Sequence, residues 1–257
     1  MKGKWGIVVI IGGMVFWSCK PPVELNAPTG LKVEGEELKI KLTWNAVEKC
    51  EGYKVYLEGE EIAKVSETKW EGTPKKLGDF CVSAYKGDKE SEKSNTVSTK
   101  LEVGEGAKIY ERSCKGLSAC GWDENTGKIT FYSVHPDSPK AQIDVYLDDF
   151  IAGSTDPDSM ELVNPQELDP KLRKTGILAT DKDFDAIITA PGPNNYNNRE
   201  LAVKDTCYIL SLSRNGDDYY VKLKITGKGN DSDGDFITFK YGIQLIKNYR
   251  RLGDESE

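Results

Sequence analysis

The sequence predicts an all-β protein, and three observations carry that prediction. Short segments alternate polar and apolar residues, turn-forming residues separate them at close intervals, and no long stretch has helical spacing. Strict alternation is the mark of a half-buried strand, because successive side chains point to opposite faces. The nearest approach to a helix is residues 164–174 (NPQELDPKLRK), where Pro165 and Pro170 permit only short helical turns.

Taken in order, the elements fall into two mainly antiparallel β domains, 27–102 and 103–257. In the first, Lys39-Ile40-Lys41-Leu42-Thr43-Trp44 alternates cleanly, and Tyr53-Lys54-Val55-Tyr56-Leu57 reads as the next strand. Phe80-Cys81-Val82-Ser83-Ala84-Tyr85 is a later one. A charged turn over 88–94 then leads to a last strand over 95–101. This spacing predicts an antiparallel sandwich. Gly104 and Gly106 suggest a hinge between the domains. Beyond it, strands are predicted over 129–134, 141–147, 184–189, 207–212, 219–225 and 236–246. Arg214-Asn215-Gly216-Asp217 is a hairpin turn signal.

The first residues have a different character. Lys2 and Lys4 precede an uncharged run, WGIVVIIGGMVFW, and then Ser18 and Cys19. A basic start, a short apolar stretch and a small residue make a secretory signal over 1–18. The stretch falls short of the roughly 20 apolar residues that span a bilayer. Phe16-Trp17-Ser18-Cys19 resembles the lipobox of bacterial lipoproteins, whose cysteine takes a diacylglyceryl thioether. That resemblance implies lipidation of Cys19 and a membrane partner. Residues 19–26 follow as a Pro-bearing tether between lipid and folded chain. Lys20, rather than Asp, follows the cysteine. The expected location is therefore the cell envelope, lipid-anchored, at the outer membrane or cell surface.

Two further resemblances follow from the domains. Ala27-Pro28-Thr29-Gly30-Leu31, Leu42-Thr43-Trp44, Gly52-Tyr53-Lys54-Val55-Tyr56, and Leu77 with Phe80-Cys81-Val82-Ser83-Ala84 occur in the order of a fibronectin type III domain. The first domain resembles that family, which implies a sandwich and leaves function open, since such domains serve as spacers and binding modules alike. In the second, the carrying residues are Asp185-Ala186-Ile187 with Ala190-Pro191, Tyr208-Ile209-Leu210-Ser211-Leu212, Tyr220-Val221-Lys222-Leu223-Lys224-Ile225, and Ile237-Thr238-Phe239-Lys240-Tyr241-Gly242. This region resembles the HmuY-like family of surface lipoproteins. The resemblance implies a β-rich binding protein, of which some members capture haem through two histidines.

The chemistry the residues allow is narrow. The chain holds one histidine, His135, so haem ligation by two imidazoles does not carry over. Ligation by His135 alone, with Met160, Tyr132, Tyr146 or Tyr196 opposite, stays open. Asp231, Asp233 and Asp235 alternate around Gly234 and suit either calcium or a plain polar turn. Cys114 and Cys120 are expected to form a local disulfide. Pro191-Gly192-Pro193-Asn194-Asn195-Tyr196-Asn197-Asn198-Arg199 is a long polar loop, and Asn195, Tyr196 and Asn197 are the candidate ligand contacts. No nucleophile-and-histidine arrangement, metalloprotease helix or phosphate-cradling glycine loop is present. The net charge of −7 argues against nucleic acid.

The expectation is thus a non-catalytic, lipid-anchored binding protein with no obligate cofactor and an unknown protein or small molecule as ligand. A haem carrier and a cell-envelope assembly protein are the alternatives.

Overall fold

The computed structural model describes residues 24–134, 140–149 and 159–255. The chain is all-β, built of several antiparallel sheets, and the only helical pieces among the described residues are single 3-10 turns. No helix among the described residues is long and apolar enough to cross a membrane. Cys19 and the segment before it lie outside the described residues, as does His135.

The first sandwich comprises β1 (Lys32–Glu36), β2 (Lys39–Thr43), β3 (Gly52–Leu57), β4 (Glu60–Val65), β5 (Lys69–Gly72), β6 (Asp79–Lys86), β7 (Lys89–Glu90) and β8 (Val97–Ser98). One sheet has the order β1-β2-β5 and the other β4-β3-β6-β7, with β8 also on β6. Alternation decides what is buried: Ile40 and Leu42 of β2, Tyr53 and Val55 of β3, and Phe80, Val82 and Ala84 of β6 meet between the sheets. Trp44 packs edge-on against Tyr53 at 5.4 Å.

The predicted last strand over 95–101 shrinks to β8. Serine side chains take the place of a ladder there. Ser94 Oγ accepts the Val82 amide at 3.0 Å and Ser91 Oγ accepts the Ala84 amide at 2.9 Å. With its donors met this way, β6 needs no longer partner strand along that edge.

The second sandwich contains β9 (Glu102–Tyr110), β10 (Ala119–Trp122), β11 (Ile129–Tyr132), β12 (Val145–Asp149), β13 (Met160–Val163), β14 (Lys174–Thr180), β15 (Arg199–Leu201), β16 (Cys207–Arg214), β17 (Asp217–Asp231) and β18 (Gly234–Gln244). Two five-stranded sheets, β11-β10-β12-β13-β15 and β14-β16-β17-β18-β9, close over one apolar core. Leu210, Leu212, Val221, Leu223, Ile237 and Phe239 come from one sheet, and Trp122, Val145, Leu147 and Leu162 from the other. Asn215 and Gly216 take the positive φ angles of a tight hairpin turn between β16 and β17.

Two expectations are corrected here. Gly104 and Gly106 are not a hinge, because both lie within β9 and Gly104 pairs with Tyr241 of β18. Gly106, at φ +70°, supplies the left-handed residue at a shift in that pairing. The segment 184–189 is not a strand but a 3-10 turn (Phe184–Ala186) running into an extended piece. It lays Phe184, Ile187 and Ala190 on the outer face of the second sheet and hydrogen-bonds instead to the chain end, Leu252 N to Ile188 O and Ala190 N to Arg250 O.

That chain end straps the two sandwiches together. Tyr249 is wholly buried in the core of the first sandwich, although it follows the last strand of the second. Residue 249 bridges to Glu37, and the Arg250 amide donates to Glu37 O. Arg251, also fully buried, donates to Lys75 O at 3.2 Å and to Glu255 at 2.9 Å. Gln244 Nε2 donates to Thr99 O at 2.9 Å.

Candidate functional site

Most side chains singled out in the sequence are occupied in holding structure. The Tyr196 hydroxyl donates to Pro191 O at 3.1 Å, folding the ring under its own loop and over Gly176. Burial pushes its phenol pKa up. Asn195 Nδ2 donates to Gly192 O at 3.1 Å, and Asn197 pairs its backbone with Ile177 and its side chain with Glu200. The loop is therefore a closed turn, and these three side chains do not form a shared concavity.

The acidic turn has a similar fate. Asp231 Oδ2 accepts from Lys108 Nζ at 2.5 Å and from the Tyr110 hydroxyl at 3.1 Å. Its other oxygen accepts the Asp233 amide, and Asp235 accepts from Asn230. Asp231, Asp233 and Asp235 do not converge as a calcium site, and no such group exists among the described residues. The charges that would meet a cation are spent on Lys108 and on the hairpin itself.

The expected Cys114–Cys120 disulfide is absent, and both thiols are free. Cys120 points into the core between the sheets, where burial pushes its thiol pKa well up. Cys114 instead lies against Gly234 at the far hairpin and near Glu111. Strand alternation in β10 commits Cys120 to the core and so separates the two.

The structure builds a different site, around Asp144. This residue lies in the extended link between the 3-10 turn Lys140–Gln142 and β12. Its carboxylate is fully buried and accepts the Trp122 amide at 2.8 Å and Arg214 Nη2 at 2.6 Å. Arg173 Nη1 approaches the same carboxylate at 3.3 Å and donates to Gln142 O at 3.1 Å. Burial pushes the Asp144 carboxyl pKa up, against the opposing pull of Arg214 and Arg173. Arg214 is itself buried, also donates to Trp122 O, and lies 3.6 Å from Glu124. Gly121 makes the approach possible: a Cβ there would stand 1.9 Å from Gln142 O.

Above this network opens a cleft of about 220 Å³, lined by Trp122, Thr130, Tyr132, Gln142 and Arg173 and by two acids, Asp123, which accepts from Thr126, and Glu124, which faces Arg214. The Arg173 side chain is 27% exposed. Among the described residues only its Nη1 has partners, so Nε and Nη2 remain available to the cleft. A guanidinium fixed at one nitrogen and free at two is pre-organised for a planar, bidentate acceptor such as a carboxylate.

Sequence reasoning missed this arrangement. One signal was present: Asp144 interrupts the apolar series Ile143, Val145, Tyr146, Leu147. A charge at such a position is buried and therefore paired. Its partners, 29 and 70 residues away, had no sequence mark.

No family model matches the chain, and no curated protein matches it. Among solved structures it is similar to one titled "Structure of FN3tt mut", at 23% identity and TM-score 0.24, over 30% of this chain and 92% of that one. It is also similar to "Titin kinase and its flanking domains", at 11% identity and TM-score 0.27, over 86% of this chain. It spans 38% of that second chain. The first sandwich, with its three-stranded and four-stranded sheets in the order described above, has the sheet arrangement of a fibronectin type III-like β sandwich.

Proposed function

We propose that this chain is a non-catalytic, lipid-anchored binding protein of the cell envelope. Cys19 is the anchor, the fibronectin-like sandwich is a stalk, and the second sandwich takes the ligand. The observation that carries the reading is Arg173, held by the fully buried Asp144 and open on two nitrogens to a polar cleft. The ligand class it suits is a small molecule bearing a carboxylate. The strap through Tyr249 and Arg251 supports the stalk role, because it joins the sandwiches through a buried core rather than a free linker. Of the residues that resemble the HmuY-like surface lipoproteins, 208–212, 220–225 and 237–242 fall on β16, β17 and β18, while 185–187 and 190–191 fall on the segment laid over that sheet.

Two measurements test this. In a bacterial host, radiolabelled palmitate should enter the wild-type chain and not the Cys19→Ala chain. An unlabelled wild-type protein that stays in the aqueous phase of a detergent partition would remove the anchor. For the cleft, Trp122 is a built-in reporter. A panel of small carboxylates, from acetate to sialic acid, should include one that changes its fluorescence saturably in wild type and not in Arg173→Met. Responses that are the same in both proteins would rule out Arg173 as the contact.

A further inference from the structure

The outer face of the sheet β14-β16-β17-β18-β9 gathers three lysines with a single, distant ion pair among them. Along β17, Val221, Leu223 and Ile225 fill the core. The alternate residues Lys222 and Lys224 therefore face outward. Lys240 of β18 stands directly opposite Lys224 in the strand register. Phe184 lies over the group, with Lys222 Nζ 4.7 Å and Lys240 Nζ 4.4 Å from its ring centroid. Lys222 is only 6% exposed, and burial holds its ammonium pKa below the usual lysine value.

Some lysines elsewhere in the chain find carboxylates, such as Lys54 with Glu90 at 2.6 Å, Lys108 with Asp231 at 2.5 Å and Lys247 with Asp217 at 2.9 Å. Among the described residues, Lys222 and Lys240 form no ion pair. Lys224 has only Asp183, at 3.9 Å and with its side chain 93% exposed. Asp185 acts on Lys222 from further off. Like charges directly opposite on a sheet are destabilising, and a buried, unpaired ammonium is more so. A sequence with 42 acidic residues nevertheless leaves these three together.

Beside them opens a cleft of about 410 Å³, lined by Lys224, Lys240, Thr226, Gly106 and Glu105. Space is open at Gly106, where nothing lies within 4 Å of the point to which a Cβ would project. The Thr226 hydroxyl, already bonded to Thr238 at 3.1 Å, borders the floor. Glu105 is the one acid in the lining, and it is exposed and unpaired among the described residues.

We propose that this cleft binds a doubly charged oxyanion group, phosphate or sulfate, between Lys224 and Lys240, with Lys222 adding its field from behind Phe184. Lysine is a compact point charge suited to such a group. The site lies on the sheet opposite the residues that line the Arg173 cleft and stands independently of it.

The test is thermal unfolding of the full-length chain in nonionic detergent, in sodium phosphate or in sodium chloride of matched ionic strength. Phosphate should raise the melting temperature saturably, by roughly 5–10 °C at 100 times the dissociation constant. Lys224→Gln/Lys240→Gln should melt at or above wild type in chloride, because the like-charge pair is gone, and should not respond to phosphate. Lys240→Arg, which keeps the charge, should keep the response and so reports on the site through a folded chain. An equal shift in chloride and phosphate, or a phosphate shift retained by the double variant, overturns the proposal. Arg173→Met should leave the phosphate response intact, and its loss there would overturn the independence of the two sites. Glycerol 3-phosphate separates the sources. An equal response assigns a site that accepts an esterified headgroup, and a response to inorganic phosphate alone assigns the free ion.

Discussion

Tyr249→Ala should loosen the first sandwich, although residue 249 lies some 150 positions beyond that sandwich's last strand. The Tyr249 ring is wholly buried with Leu31, Ile40, Leu42, Trp44 and Phe80. Gly35 makes room for it, since a Cβ there would come within 2.6 Å of the Tyr249 Cβ. Truncating a large buried aromatic to alanine costs about 3–5 kcal/mol, through lost burial and the cavity left behind. At about 1.4 kcal/mol per factor of ten, that is roughly two to three and a half powers of ten in the opening equilibrium. Hydrogen exchange read by mass spectrometry localises the effect, because amides that exchange only on global opening report that equilibrium. Peptides from β2, β3 and β6 should lose protection by that factor. Protection unchanged there, with acceleration confined to residues 246–255, would refute the idea that the strap completes the first core.

Three other outcomes are expected. Glu90 accepts from Lys54, Tyr56 and Ser83 at 2.5–2.6 Å. Burial works to raise its pKa, but the bonds from Lys54, Ser83 and Tyr56 prevail and bring it from 4.5 to about 2. A lowered carboxylate pKa stabilises the fold above the unfolded value and loses that contribution as pH falls from about 4.5 to 2. With its side chain 31% exposed, screening discounts the effect to about 1–2 kcal/mol. Urea titrations of Glu90→Gln should show this deficit at pH 7 and none at pH 2. Asp144→Asn leaves Arg214 buried beside a neutral amide, and a loss of about 3–5 kcal/mol is expected by the same method; a loss under about 1 kcal/mol would mean the pair is not the anchor of the cleft. Gly121→Ala would place a Cβ against Gln142 O, so β10 must shift, and thermal unfolding should register about 3 kcal/mol of destabilisation.

The all-β class, the strand-bearing segments and the Asn215-Gly216 hairpin were legible in the sequence by itself. Each depends on period-two alternation or on local turn chemistry, which neighbouring residues carry without help. The fibronectin-like order of Trp44, Tyr53 and Phe80 was legible for the same reason, since each faces inward on its own strand. The tertiary structure decided the rest. Residues 184–189 have strand-like composition, yet became a 3-10 turn and an extended strap whose apolar side chains cover the outer face of β16 and β17. Cys114 and Cys120 are near in sequence, yet the alternation of β10 sends one into the core and away from the other. Tyr249 looked like part of the second domain and completes the core of the first. The Arg173–Asp144–Arg214 network is assembled from segments distant in the chain, and the lysine face by the register of β17 against β18. A buried charge finds its partner through packing and register, and neither is written in local sequence.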